Sequence, residues 1–231
     1  MVEERNQLRR PNLNNQANEI SETQLAGIFT LAKLAESRDD HMEKHLERVQ
    51  TFCLLLAENL SRHFRYGKQI DSGFTGAIYH ASLLHDIGKA AIPDSILIKR
   101  GRLTDEEFKI MKTHADHGAR TLETVMRKYP DSRLLNMGIV ISRHHHEKWD
   151  GSGYPQGLSG EDIPLAARIM AVADVYDALS SVRCYKPAFS HEYSSEVIMQ
   201  KSGTHFDPEV VNAFINLQDE FQTNRAQMDE S

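Results

Sequence analysis

The chain is poor in cysteine, in aromatic residues and in uninterrupted apolar sequence. Its 231 residues include two cysteines, one tryptophan and an aromatic fraction of 7%. Two cysteines cannot form the disulfide framework of a small secreted protein, so we expect a reducing, cytoplasmic environment. No stretch approaches about 18 consecutive apolar residues, the length of a membrane-spanning helix. Residues 1–18 are polar and charged, which is unlike a secretory signal.

An excess of positive charge is also missing. The formal net charge of -6 argues against a general attraction to nucleic-acid polymers or to an anionic membrane surface. The length suits one domain with a substantial core. We predict a flexible linker or tail over residues 1–20, one folded domain over 21–225 and a polar C-terminal tail over 226–231.

Helical patterns dominate the chain. Ser21 and Thr104 begin capping boxes, and apolar residues follow each of them at helical spacing. The predicted helices are one after residue 21, one that carries residues 41 and 45, others at 74–85, 104–118, 134–146 and 164–180, and a last one that starts at Pro208. Alternating β patterns are scarce, and residues 149–160 form the one long irregular loop. We therefore predict an all-α bundle.

Histidine is abundant, with twelve in the chain. Six of them and two aspartates form a pattern typical of one polynuclear metal site: His41, His45, His85, Asp86, His114, His145, His146 and Asp174. The adjacent pair His85 and Asp86 is the decisive part, because it offers a neutral nitrogen ligand beside a carboxylate able to bridge two cations. Such mixed ligands suit manganese, iron, zinc or nickel better than calcium or magnesium.

The predicted helices give this pattern a geometry. His41 and His45 are four residues apart, so we expect both on one helix face. Asp174 lies in an apolar helix, where a carboxylate is costly to bury unless it is paired or bound to a cation. Other interpretations stay open: His114 alone could be structural, and His145 with His146 could be helix-end cations that favour the helix dipole.

The chain resembles the HD-GYP phosphodiesterases, the bacterial branch of the HD metal-dependent phosphohydrolases that cleave cyclic di-GMP. The resemblance runs from Glu36 to Phe214. It depends on HDIGK at 85–89, HHEKWDGSGYP at 145–155, DVYDAL at 174–179 and GTHFDP at 203–208, with Arg183 and Lys186 between the last two. It implies an HD-type helical bundle, in which residues 21–225 are the catalytic domain, with an added GYP loop and C-terminal helices.

The resemblance also implies the ligand sets. His45, His85, Asp86 and Asp174 would hold a first metal, and His114, His145 and His146 a second, with Asp86 bridging the two. Some family members bind a third metal through a glutamate four residues before the first helix histidine, and here that position is His41. The expected cofactors are two or three divalent metal ions, iron or manganese first, with zinc or nickel as alternatives.

Our hypothesis for the chemistry is hydrolysis of cyclic di-GMP by a metal-bridging hydroxide, with linear pGpG as the product and GMP as an alternative end product. Lys89 can place its ammonium on a phosphate oxygen. By resemblance, Asp177 supports a ligand or handles protons. Arg183 and Lys186 clamp the second phosphate, and Tyr154 stacks on or borders a guanine.

Two alternatives stay open. One keeps the enzyme and changes the substrate to the mixed cyclic GMP-AMP dinucleotide. The other is a cyclic-dinucleotide-binding interaction module whose metals are structural. As partners we expect a homodimer through the apolar stripe of residues 25–34 and, from the resemblance, contact with diguanylate cyclase domains.

Overall fold

The computed structural model describes residues 22–37, 44–181 and 188–230, and these ranges contain helices and no β-strand. The predicted all-α fold is therefore confirmed. The α-helices are α1 (Glu22–Glu36), α2 (His45–Ser61), α3 (Ser72–Ala81), α4 (Asp94–Leu97), α5 (Asp105–Lys112), α6 (His114–Met126), α7 (Arg133–His144), α8 (Leu165–Ser180), α9 (His191–Gln200), α10 (Pro208–Asn216) and α11 (Gln218–Glu230). Short 3-10 helices lie at Ser82–Leu84, Ile87–Ala91 and Gly160–Asp162. Within the described ranges, no helix combines the length and the apolar character needed to cross a membrane.

Helix α8 is the centre of the fold. It packs against α2, α7, α9 and α10, which explains why its sequence is apolar on almost every side. A group of buried rings joins it to the C-terminal helices. Phe52 stacks on Phe221 with ring centroids 4.3 Å apart, and Tyr176 meets both rings edge-on. These contacts hold one wall of the metal-ligand region in place.

Helix α1 packs against the two 3-10 turns that flank the His85–Asp86 pair, in part through a smaller apolar cluster. Its Ala32 is buried against Leu46 and Leu83, with Ile28 and Phe29 partly covering them. Leu46 directly follows His45, and Leu83 lies two residues before His85. The position of α1 is thus set by residues that flank two of the candidate ligands.

Several predicted helix boundaries are wrong. The helix predicted at 74–85 ends at Ala81, and 3-10 turns then carry the chain past the His85–Asp86 pair. The helix predicted at 104–118 is two helices that meet at Thr113. Helix α11 follows α10 and includes residues 226–230, which the sequence predicted as a tail.

The start of α2 also differs from the prediction. Lys44 has a left-handed backbone conformation, with φ of 61°, so α2 begins at His45. The prediction that His41 and His45 share one helix face involves His41, which lies outside the described residues.

Candidate metal centre

Side chains from distant parts of the chain meet in one buried region. They are His45 at the start of α2, His85 and Asp86 between two 3-10 helices, His114 at the start of α6, His145 and His146 directly after α7, and Asp174 in α8. Their ligand atoms form two compact groups, each with donors within 4.8 Å of one another. The first group is Asp86, His114, His145 and His146, and the second is Glu36, His45 and His85.

Asp86 stands between the two groups and presents one oxygen to each. Its Oδ1 lies 3.2 Å from His114 Nε2 and 3.7 Å from His145 Nε2. Its Oδ2 lies 3.3 Å from His85 Nε2 and 2.6 Å from Lys89 Nζ. This is the geometry that a carboxylate needs to bridge two cations.

Four of the histidines share one orientation, with Nδ1–H donated outward and Nε2 facing the site. His85 donates to the carbonyl oxygen of Ser82 at 2.8 Å, His114 to that of Met111 at 2.7 Å, and His145 to that of Ile141 at 2.9 Å. His45 donates to the Asp177 carboxylate at 2.7 Å. Because carbonyl and carboxylate oxygens only accept, Nδ1 carries a proton, and in the neutral imidazole the Nε2 lone pair points inward. Metal-binding histidines are held in this way by their outer hydrogen bonds.

The inward-facing atoms need a cation. His45 Nε2 and His85 Nε2 are 3.4 Å apart, and two lone pairs at that distance repel each other unless a proton or a metal cation lies between them. Among the described residues, Glu36 Oε1, Asp86 Oδ1, His114 Nε2 and His145 Nε2 are buried and have no hydrogen-bond partner. Leaving several buried polar atoms unsatisfied is costly, and metal coordination satisfies all of them. The nitrogen and carboxylate donors fit divalent transition metals.

Burial and charge tune these groups for metal binding. Burial lowers the pKa of His145, and it holds the pKa of His146 well below the usual range, so both imidazoles are in the neutral form that ligates. Burial alone would raise the pKa of Asp86, but the Lys89 ammonium and His85 keep it well below its ordinary value. Burial likewise opposes the charged form of His85, yet the surrounding carboxylates raise its pKa to about 9. The negative field that favours a proton there also favours a metal cation.

Asp177 lies behind His45 rather than at its inward face. Its buried carboxylate accepts from His45 Nδ1 and from two nitrogens of Arg48, Nε and Nη2. The same Nη2 donates to Ser181 Oγ at 3.0 Å. The carboxylate therefore fixes the tautomer and the ring orientation of His45, and the guanidinium holds the carboxylate. The sequence hypothesis did not include Arg48, although its place three residues after His45 puts both on one face of α2.

Removing Arg48 should be strongly destabilising. In an Arg48→Met variant the Asp177 charge stays buried without its guanidinium, and breaking such a pair lowers the free energy of unfolding by about 3–5 kcal/mol. Urea unfolding at neutral pH measures this change. The matched control is Arg120→Met, since Arg120 is exposed on α6. Equal stability of the two variants would show that the Arg48–Asp177 contact contributes little.

The loop that follows His146 covers the site. The Tyr154 ring stacks on the His146 ring, with centroids 4.7 Å apart. The buried Glu147 carboxylate anchors the loop by accepting the backbone N–H groups of Gln156 and Leu158, at 2.7 and 3.1 Å. A Cβ on Gly153 would overlap the backbone of residues 147 and 148, so the close return of the loop requires glycine there.

The structure brings most of the predicted ligands together. One of them lies beside the second group, and three of the predicted site residues lie outside the described ranges. Asp174 Oδ1 is 3.8 Å from His45 Nε2, beside the second group but outside its tight set. Arg183 and Lys186, like His41, lie outside the described residues. Glu36 and Glu147 were missing from the predicted site. Glu36 belongs to the segment that carries the family resemblance, but its sequence neighbours gave no sign of a ligand role.

Comparison with known proteins places this geometry in a family context. A family model described as HD domain matches residues 30–210. The chain is 47% identical over 204 residues to a Vibrio cholerae protein named cyclic di-GMP phosphodiesterase, covering 88% of this chain and 42% of that protein. It is 40% identical over 210 residues to a protein named 3'3'-cGAMP-specific phosphodiesterase 2 from the same organism, covering 91% and 38%. The chain thus spans less than half the length of these curated relatives.

A solved structure supports the fold. An HDGYP protein from Bdellovibrio bacteriovorus matches with a TM-score of 0.59 at 17% identity, covering 85% of this chain and 63% of that chain. At this identity the likeness concerns the fold alone. It agrees with the all-helical fold of the described residues.

Proposed function

We propose that this chain, which belongs to the HD domain family and to its HD-GYP branch, is a metal-dependent phosphodiesterase that hydrolyses cyclic di-GMP to linear pGpG. One observation carries the proposal: inward-facing Nε2 atoms and carboxylate oxygens converge around Asp86, with the Lys89 ammonium 2.6 Å from it. The relative that is 47% identical, which bears the name cyclic di-GMP phosphodiesterase, supports the choice of substrate.

The HD domain binds divalent metal, and we assign the ligands as follows. His45, His85, Asp86 and Asp174 hold one cation, and His114, His145 and His146 hold a second together with Asp86. When bound, two such cations supply an acidified water and positive charge for the phosphoryl oxygens. Iron or manganese suits the mixed donors best, with zinc or nickel as alternatives. The lowered pKa values of His145 and His146 and the low pKa of Asp86 keep these three side chains in the ligating state at neutral pH.

Lys89 is the proposed donor to the phosphate. Its Nζ lies at the edge of the site beside Asp86 Oδ2, and its side chain is 16% exposed, so a bound phosphate oxygen can approach it. An ammonium in a buried, preorganised position stabilises negative charge as it develops on the phosphoryl group.

We expect Lys89→Ala to reduce turnover by about 100- to 1000-fold, the usual effect of removing one such donor. Bound metal should stay at the wild-type level, because lysine is not among the ligands. Chromatography of the products, together with metal analysis of the same sample, measures both quantities. Lys68→Ala is the control, since Lys68 is exposed after α2. Wild-type turnover, or loss of metal, in Lys89→Ala would refute the assigned role.

The remaining substrate contacts are proposals of the same kind. Tyr154 is held against His146 by its anchored loop, which suits stacking on a base that enters the site. Arg183 and Lys186 would contact the second phosphate of the ring.

The direct test is hydrolysis of the two cyclic dinucleotides by metal-loaded protein. Faster hydrolysis of cyclic di-GMP supports the proposal. Faster hydrolysis of 3'3'-cyclic GMP-AMP supports the second candidate, which the 40% identical relative of that specificity favours. Binding without hydrolysis, across manganese, iron and nickel loadings, would instead indicate an interaction module. The time course also shows whether pGpG is converted to GMP.

A cytoplasmic location and two partner assignments remain proposals. On α1, Leu31 and Leu34 are 60% and 66% exposed, which supports a dimer interface there. A monomeric mass measured by light scattering at high protein concentration would exclude the dimer. Contact with diguanylate cyclase domains would involve the loop around residues 153–155.

A further inference from the structure

Glu36 is the last residue of α1 and points into the metal-ligand region. It is 4% exposed, and within the described ranges its Oε1 has no hydrogen-bond partner. That oxygen lies 4.0 Å from His85 Nε2. It belongs with the inward-facing nitrogens of His45 and His85 to a set of donor atoms that all lie within 4.8 Å of one another.

A carboxylate in this position has two ways to avoid an isolated buried charge. It can take up a proton, and burial does raise the pKa of Glu36. It can also bind a cation shared with the Nε2 atoms of His45 and His85, which lie 3.4 Å apart. A single divalent ion among the three side chains coordinates all three donors, whereas a proton on Glu36 still leaves its buried Oε1 without a hydrogen-bond partner among the described residues.

We propose that Glu36 is a direct ligand of the metal centre, which holds a divalent cation together with His45 and His85. Asp86 Oδ2, 3.3 Å from His85 Nε2, and Asp174 Oδ1, 3.8 Å from His45 Nε2, border the same position. Two nitrogens and up to three carboxylate oxygens favour a cation that accepts mixed ligands at higher coordination number, such as manganese or iron. The inference uses the metal centre of the proposed function and is independent of its substrate.

The ligand role gives α1 a part in the site. The helix is held by the packing of Ala32 against Leu46 and Leu83. This packing places the Glu36 carboxylate beside His45 and His85. A cation at this position would in turn tie the end of α1 to α2 and to the turn before Asp86. Metal binding should therefore slow hydrogen exchange in the last turns of α1.

The test is manganese binding to metal-free Glu36→Gln, compared with wild type and with Glu58→Gln, in which an exposed glutamate of α2 makes the same charge change. We expect Glu36→Gln to bind one cation fewer per chain, or to bind one cation at least about 10- to 100-fold more weakly, since even an outer partner of a ligand has effects of that size. Manganese should slow exchange in α1 in wild type and in Glu58→Gln, but not in Glu36→Gln.

The stability of the metal-free proteins distinguishes a metal-ligating carboxylate from one that only supports the fold. A neutral amide is easier to bury than a carboxylate, so metal-free Glu36→Gln should be at least as stable as metal-free wild type. A wild-type manganese isotherm in Glu36→Gln overturns the inference. So does a metal-free variant that unfolds or is less stable than Glu58→Gln. Wild-type protein that binds manganese but hydrolyses no cyclic dinucleotide would defeat the proposed function and leave the assignment of Glu36 standing.

Discussion

Asp86→Asn should abolish metal-dependent hydrolysis, with turnover at least about 1000-fold below wild type. Of the described side chains that surround the site, Asp86 is the one that presents an oxygen to both groups of ligands. An amide is neutral, and its nitrogen does not ligate, so one group loses its carboxylate and the bridge is broken. Bridged cations contribute several kcal/mol to such reactions, and each 1.36 kcal/mol corresponds to a factor of ten in rate.

Metal analysis and steady-state kinetics on the same sample measure the effect of Asp86→Asn. We expect bound metal to fall together with turnover, which distinguishes this variant from Lys89→Ala. The control is Asp162→Asn, because Asp162 is exposed on a short 3-10 helix and belongs to neither group of ligands. If Asp86→Asn kept a full complement of metal and a rate within tenfold of wild type, the bridging assignment would be wrong.

Gly88→Ala should damage both the fold and the site, although it adds a single methyl group. A Cβ on Gly88 would overlap the carbonyl oxygen of His114 and the amide nitrogen of Gly118. Both are backbone atoms of α6, so no rotation of a side chain relieves the overlap. The turn that carries Asp86 must separate from the helix that carries His114. We expect a loss of at least about 3 kcal/mol, or roughly 6–12 °C in Tm for a chain of this size.

Gly76→Ala provides the matched control for Gly88→Ala. Gly76 lies in α3, and a Cβ there would meet no atom of the described residues within 4 Å. Alanine should stabilise that helix by about 0.4–1 kcal/mol, because the unfolded chain loses conformational freedom. Thermal unfolding of both variants, with metal analysis, makes the comparison. Equal Tm values would mean that α6 tolerates the methyl group and that the close approach is not essential.

The parts of the fold that sequence could predict are those that depend on local patterns. The apolar run of residues 164–180 predicted α8, because a helix that is apolar on every side must be buried. The histidine and aspartate pattern and the family resemblance predicted the first group of candidate ligands, whose donor atoms the structure brings within 4.8 Å of one another. The family resemblance implied a role for Asp177, and the structure adds that Arg48 holds it.

The remaining features depend on contacts between distant segments. The apolar pattern at residues 74–85 continues past Ala81, but the chain changes to 3-10 turns where Gly88 packs against α6. Lys44 has a left-handed backbone conformation, and α2 starts at the next residue, His45. Because this conformation is uncommon for any residue other than glycine, the start of α2 could not be predicted from the sequence. Glu36 becomes a candidate ligand only because α1 packs across Leu46 and Leu83.

Anomalous diffraction from crystals of manganese-loaded protein tests the central claim most directly. That claim is that two groups of side chains, joined by Asp86, hold separate cations. We predict one peak among Asp86, His114, His145 and His146, and a second among Glu36, His45 and His85, each within about 2.0–2.3 Å of the ligand atoms. A single peak distant from Asp86, or fully loaded crystals without a peak in either group, would contradict it.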